Sequence, residues 1–150
     1  MVKLSDVLNA VAALIAEAFP DRYVYIGQEP DQFERPSFFL ELVTTNRIRK
    51  NIGTDETEIY LTLTIHEKLD AGRNGNQVSA LEDMDTVLGL FRTGILRAGG
   101  RALPVAASSG GQSKGEAYLD LTVTLREGVG YEPDKGLPLI TAVSGKEVLE

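Results

Sequence analysis

The sequence predicts an α+β domain, a two-layer sandwich in which two amphipathic helices cover one face of a mixed or antiparallel sheet. The expected order is α-β-β-β-α-β-β, followed by an extended C-terminal arm. Three observations carry this. Leu4, Leu8, Val11, Ile15 and Phe19 recur at helical spacing, as do Leu81, Met84, Leu88, Phe91 and Ile95. Residues 58–68 and 117–126 instead alternate apolar with polar side chains at period two, the mark of a strand with one wet face. Finally, 150 residues of which 43% are hydrophobic suffice for one core, since a chain of this length buries roughly 70% of its unfolded surface.

The first helix is expected to be capped by Ser5, with Asp6 placed where the helix dipole favours an anion, and to stop at Pro20-Asp21. Lys3 followed by the apolar stretch 7–16 and by Ala16-Glu17-Ala18 imitates a secretion signal. Asp6 and Asn9 break that stretch, and its spacing is that of an amphipathic helix, so a cytosolic product is expected. A short strand over 23–28 precedes a connector that Pro30 and Pro36 keep irregular. Two long strands follow, 37–47 and 58–68, with the polar segment 46–56 between them as a β-ribbon with a basic tip. Eleven residues at about 3.4 Å each span roughly 37 Å, against a radius of gyration near 15 Å for a compact domain, so part of the ribbon is expected to project.

Residues 70–76 read as a turn and the second helix follows. Asn76 or Ser79 is its expected cap, the latter with Glu82 at capping-box spacing, and Gly99-Gly100 its expected stop. Gly89 and Gly94 inside it each cost about 1 kcal/mol relative to Ala. Residues 101–107 form a weaker strand, 108–115 a flexible turn, and 117–126 the last strand. From Gly128 the chain is rich in Gly and Pro around an apolar island at 137–143, so residues 1–127 are read as the domain and 128–150 as the arm. Leu137, Leu139, Ile140 and Val143 of that island are candidate interface residues, adding a strand to a neighbour or to their own sheet.

Charge and composition narrow the function. With 22 acidic against 15 basic side chains the formal net charge is −7, which argues against a protein that coats nucleic acid by neutralising phosphates. No cysteine is present, so disulfides and thiolate metal sites are excluded. No apolar run approaches the ~20 residues of a membrane-spanning helix.

Candidate chemistry is sparse. His66 is the single histidine, placed on the polar face of a strand beside Glu67, and is expected to be solvated or to sit at an interface. Glu82, Asp83 and Asp85 are expected in the first turns of the second helix, where carboxylates meet the dipole favourably. The segment Gly110-Gly111-Gln112-Ser113-Lys114-Gly115 fails as a phosphate loop because its lysine precedes the second glycine and no Ser or Thr follows. Arg47, Arg49 and Lys50 form the one dense basic group, read either as a docking site for an acidic partner or as a solvated edge guard. We therefore expect no catalytic, cofactor-binding or metal site. The competing class is a small enzyme or ligand-binding domain using Tyr60, His66, Glu67 and Tyr118 on one sheet face; an adaptor that binds another protein through an exposed strand edge is a third.

One resemblance gives direction. Lys3-Leu4-Ser5-Asp6-Val7, Tyr25-Ile26 and above all Arg35-Pro36-Ser37-Phe38-Phe39-Leu40-Glu41-Leu42 resemble small tail terminator proteins of tailed bacteriophages and prophages. The likeness continues through the strand ending in Ile65-His66 and the helix after it, over about the first 100 residues; from Gly99 on the chain departs from that pattern. It implies a structural virion protein, assembled in the host cytoplasm, that forms a ring, commonly a hexamer, at the head-proximal end of the tail. Its partners would be further copies of itself, the tail tube protein and the head-completion or connector protein, with DNA only passing through. Such a ring would use exposed strand edges in contacts that close by rotation. Six copies would carry 6 × −7, or −42, a charge suited to a conduit that does not grip DNA.

Overall fold

The computed structural model describes residues 2–69, 77–113 and 116–128. The elements are α1 (Leu4–Ala18), β1 (Tyr23–Ile26), β2 (Ser37–Asn51), β3 (Thr54–His66), α2 (Gln77–Leu90), β4 (Ile95–Ala98), β5 (Arg101–Ser113) and β6 (Glu116–Gly128). The fold is α+β, with two helices and a mixed six-stranded sheet in the order β1-β2-β3-β6-β5-β4. β1 pairs with β2 in parallel, Tyr23 opposite Ser37 and Ile26 opposite Leu40, so residues 27–36 form the crossover. β4–β5 and β5–β6 are antiparallel. Across the central seam, Thr62 reaches Asp120 and Glu56 reaches Arg126, one number rising as the other falls, so β3 and β6 are antiparallel too.

The expected order lacked β4. The second helix stops at Leu90 because the Phe91 and Arg92 N–H groups donate to the Leu88 and Gly89 carbonyls in tightened i to i−3 turns, and Gly94 adopts φ +74, where a side chain is strained. Ile95 therefore lies on a strand, 43% exposed. Gly99-Gly100, expected as the helix stop, has φ +56 and +79 and makes the two-residue turn of the β4–β5 hairpin, the geometry that matches strand twist. The expected turn at 108–115 is also corrected. β5 continues to Ser113, with one bulge between Ser109 and Gly111, and Ser113 stands opposite Glu116.

α1 begins two residues earlier than a Ser5 cap requires. Lys3 is the N-cap, and its N–H donates to the Asp6 carboxylate at 2.9 Å while Ser5 stays exposed. Its inward face is Val7, Val11, Ala12 and Ile15, rotated from the expected stripe, so that Leu4 is left exposed. On α2 the inward face is Ala80, Asp83, Met84 and Val87; Leu81 is exposed and Ser79 lies inside the helix instead of capping it. These side chains join Phe38 and Leu40 of β2, Ile59, Leu61, Leu63 and Ile65 of β3, Leu103 and Val105 of β5, and Leu119, Leu121 and Val123 of β6 in one core. Fully burying each such side chain contributes roughly 1.5–3 kcal/mol.

The chain divides into two compact units. Among the described residues, one takes in those within 2–46 and 57–125, and the other 47–56 with 126–128. In the second unit β2 and β3 run to a two-residue turn at Ile52-Gly53, where the Asn51 side-chain oxygen accepts the Gly53 N–H at 2.9 Å. The expected polar segment is thus strand almost throughout. The apolar island with Leu137, Leu139, Ile140 and Val143, the turn at 70–76 and the candidate cap Asn76 all lie outside the described residues.

Candidate functional site

Two buried charge networks and one ribbon tip hold the polar chemistry of the described residues. The first is built on His66. Period-two alternation puts Thr62, Thr64 and His66 on the face opposite Ile65, yet Thr64 and His66 are buried and His66 is only 2% exposed. The β1–β2 crossover covers it. Phe33 stacks on the imidazole with ring centroids 4.2 Å apart, and Glu29 places a carboxylate oxygen 3.0 Å from Nε2. On the other side Glu116 of β6 puts Oε2 3.0 Å from Nδ1, close in charge but off the hydrogen-bonding direction. A neutral ring has one N–H for these two carboxylates, whereas a charged ring has two. Arg35 closes the cluster, lying over Phe33 at 5.0 Å and donating to the Glu67 carbonyl at 2.9 Å. His66, expected to be solvated or to sit at an interface, is instead buried within its own chain.

The second network joins β3 to α2. α2 starts at Gln77, so Glu82, Asp83 and Asp85 sit beyond its first turn; Glu82 and Asp85 are exposed, whereas Asp83 is turned inward and 8% exposed. Arg22 donates to Asp83 at 2.7 Å and lies over the rings of Phe19 and Phe38. Glu67, 3% exposed, shares this space, and burial, aided by its hydrogen bond with Asp83, pushes its carboxyl up to about 7, while Ser79 and Arg22 oppose the rise.

The ribbon tip carries the predicted basic group. Arg49 pairs with Asp55 at 2.7 Å and Lys50 with Glu56 at 3.4 Å. Glu56 also accepts from Arg126 at 2.7 Å, and that bond holds its carboxyl below the usual range. Arg47 is exposed on the same strand. Ile48 and Ile52, 40% and 65% exposed, add apolar surface beside these charges.

A family model for phage tail terminator proteins matches residues 6–100, more than half of the chain. The chain belongs to the phage tail terminator family. That family is one of structural phage proteins, which makes this chain a virion component. No curated protein matches the sequence.

In this terminator-family chain the matched span takes in α1 from Asp6 on, the crossover with Glu29, Phe33 and Arg35, His66, and the Arg22–Glu67–Asp83 network. Tyr60, His66, Glu67 and Tyr118 do not form one open site. Tyr60 donates to Glu58 at 3.0 Å, Tyr118 donates at 2.9 Å to Glu116, whose other carboxylate oxygen lies by the histidine, and Glu67 belongs to the Asp83 network. Among the described residues no group of three or more His, Asp or Glu side chains is arranged to hold a metal ion, and no helix is long and apolar enough to cross a membrane. Sequence reasoning missed Arg22, Glu29 and Glu116, whose partners lie 61, 37 and 50 residues away. Arg35-Pro36 was visible only as the entry to a strand.

Proposed function

We propose that this protein is the ring that caps the head-proximal end of a phage tail tube, ends tube polymerisation and joins the tail to the head. The observation that carries the reading is the tail terminator match over residues 6–100. What supports it physically is a protein whose buried polar groups serve to fix its own strands and helices, leaving its charge and its strand edges for neighbours. Its partners are further copies of itself, most simply six, the tail tube protein, and the head-completion protein. The ribbon tip with Arg47, Arg49 and Lys50 docks on an acidic partner surface, and the segment with Leu137, Leu139, Ile140 and Val143 reaches a neighbouring subunit. DNA passes through a ring whose net negative charge resists phosphate binding.

Native mass measurement with negative-stain imaging tests the ring directly: six-membered rings are expected, and a chain that stays monomeric at every assembly concentration refutes it. A phage lacking the protein should make overlong, headless tails; tails of normal length joined to heads would overturn the terminating role. Reversing the charge of Arg47, Arg49 and Lys50 together should leave rings intact but reduce tail joining, and full joining would remove the tip from the docking surface.

A further inference from the structure

The sheet is open, and its outer strands cover only part of each margin. β1 takes residues 37–40 of β2, and the Gly27 N–H closes on the Leu40 carbonyl at 2.9 Å. From Glu41 on, no described strand lies on that side of β2. At the opposite margin β4 takes residues 101–104 of β5, and the Val105 N–H closes on the Gly94 carbonyl at 2.9 Å. From Ala106 on, no described strand lies on that side of β5 either. Val43, Thr44, Thr45 and Asn46 are exposed, as are Ala106, Ser108 and Ser109, and Val43 keeps 59% of its surface in water.

Such edges invite another chain, and proteins ordinarily blunt them with charges, proline or bulges. Of the 37 charged side chains, 22 acidic and 15 basic, none falls in residues 42–46 or 102–113. Two copies that each carry −7 repel over most of their surface, and these neutral runs are where they meet at least electrostatic cost. Ala106, Ser108 and Ser109 place no bulky side chain over the edge, so another backbone can approach to the ~4.8 Å of a ladder. β-Branched Val43, Thr44 and Thr45 suit a strand that gains a neighbour. The bulge at Gly110 shifts the register between Ser109 and Gly111, so the regular outer edge offered to a neighbour stops at Ser109.

We propose that residues 42–46 of β2 in one copy pair with residues 106–109 of β5 in the next, so that the sheet continues from subunit to subunit. The inference rests on the ring reading above and deepens it by naming the two surfaces. The two edges lie on opposite margins of one sheet, so the contact is head to tail. Each copy uses one edge on each side, which is the arrangement that closes into a ring.

Because the chain has no cysteine, introduced thiols report the contact cleanly. The double variants Thr44→Cys with Ser108→Cys, and Val43→Cys with Ser109→Cys, sample two neighbouring pairs of one antiparallel register at exposed sites. Mild oxidation of either assembled variant should give a ladder of cross-linked species on a non-reducing gel, and each single variant should stay a monomer there. Mixing the two single variants of a pair should give dimers only. Ser108→Lys, which puts a charge on the edge, should shift the native mass toward monomer while the circular dichroism spectrum is unchanged. Assemblies of normal native mass with no cross-links in any double variant would overturn the edge pairing and leave the ring standing. Dimers from a Thr44→Cys single variant would overturn it in favour of a symmetric β2–β2 contact, and a wild-type chain that never assembles would sink both.

Discussion

Glu67→Gln should make the protein less sensitive to rising pH. Glu67 is 3% exposed against Asp83, and its carboxyl is pushed from 4.5 to about 7, burial being the largest cause. The folded state thus holds this proton more tightly than the unfolded chain. The resulting stabilisation is complete below the unfolded value near 4.5 and is lost as pH rises through about 7. At about 1.4 kcal/mol for each tenfold in proton affinity, the whole contribution is about 3 kcal/mol, most of which disappears between pH 5 and pH 8. Glutamine keeps the shape of the protonated acid and does not ionise. In urea titrations followed by far-ultraviolet circular dichroism, the stability of the variant relative to the native chain should rise by about 2–3 kcal/mol from pH 5 to pH 8. Taking the difference cancels the carboxyls that the two chains share. A difference that stays flat with pH, or falls, would refute the account of a proton held on Glu67 by burial.

Other expectations follow from packing and backbone geometry. Leu121→Ala, at a fully buried position on β6, should cost about 2–5 kcal/mol in the same denaturation assay. Gly100 has φ +79 with open space around its Cα, so Gly100→Val should lose about 1–2 kcal/mol while Gly100→Asn stays close to neutral. His66→Gln removes a ring that faces Glu29 and Glu116 and should cost about 1–3 kcal/mol. It should also speed amide exchange at Glu34, whose N–H is held by the Tyr25 hydroxyl in the same crossover.

Much of this fold was legible because its strongest signals are local. The alternation of Ile59, Leu61, Leu63 and Ile65 named β3, and that of Leu119, Leu121 and Val123 named β6, because each strand has one apolar face. The missing strand β4 shows where such signals mislead. Ile95 continues the spacing of Leu88 and Phe91, and only the backbone of Gly94 reveals that the helix has already ended. The length of β2 was hidden for the opposite reason. Its last residues are exposed on both faces, so no apolar rhythm marks them, and the Arg49–Asp55 and Lys50–Glu56 pairs that knit the ribbon are polar. The charge networks were the least legible. Asp83 looks like its exposed neighbours until α2 is oriented, and neither Arg22 nor Glu29 carries any mark in the chain of the partner that the fold brings to it.

The strand order also sets how the chain must fold. Four pairings, β1–β2, β2–β3, β4–β5 and β5–β6, join neighbours in sequence and close loops of at most about ten residues. The seam between β3 and β6 is different, since Thr62 meets Asp120 across 58 residues, and chain entropy must be spent there before any contact offsets it. The sheet is thus two locally connected halves joined by one non-local seam. On loop-closure entropy, a substitution that weakens the β3–β6 seam is expected to slow refolding more than an equally destabilising one in the β4–β5 hairpin, a difference that stopped-flow refolding reads.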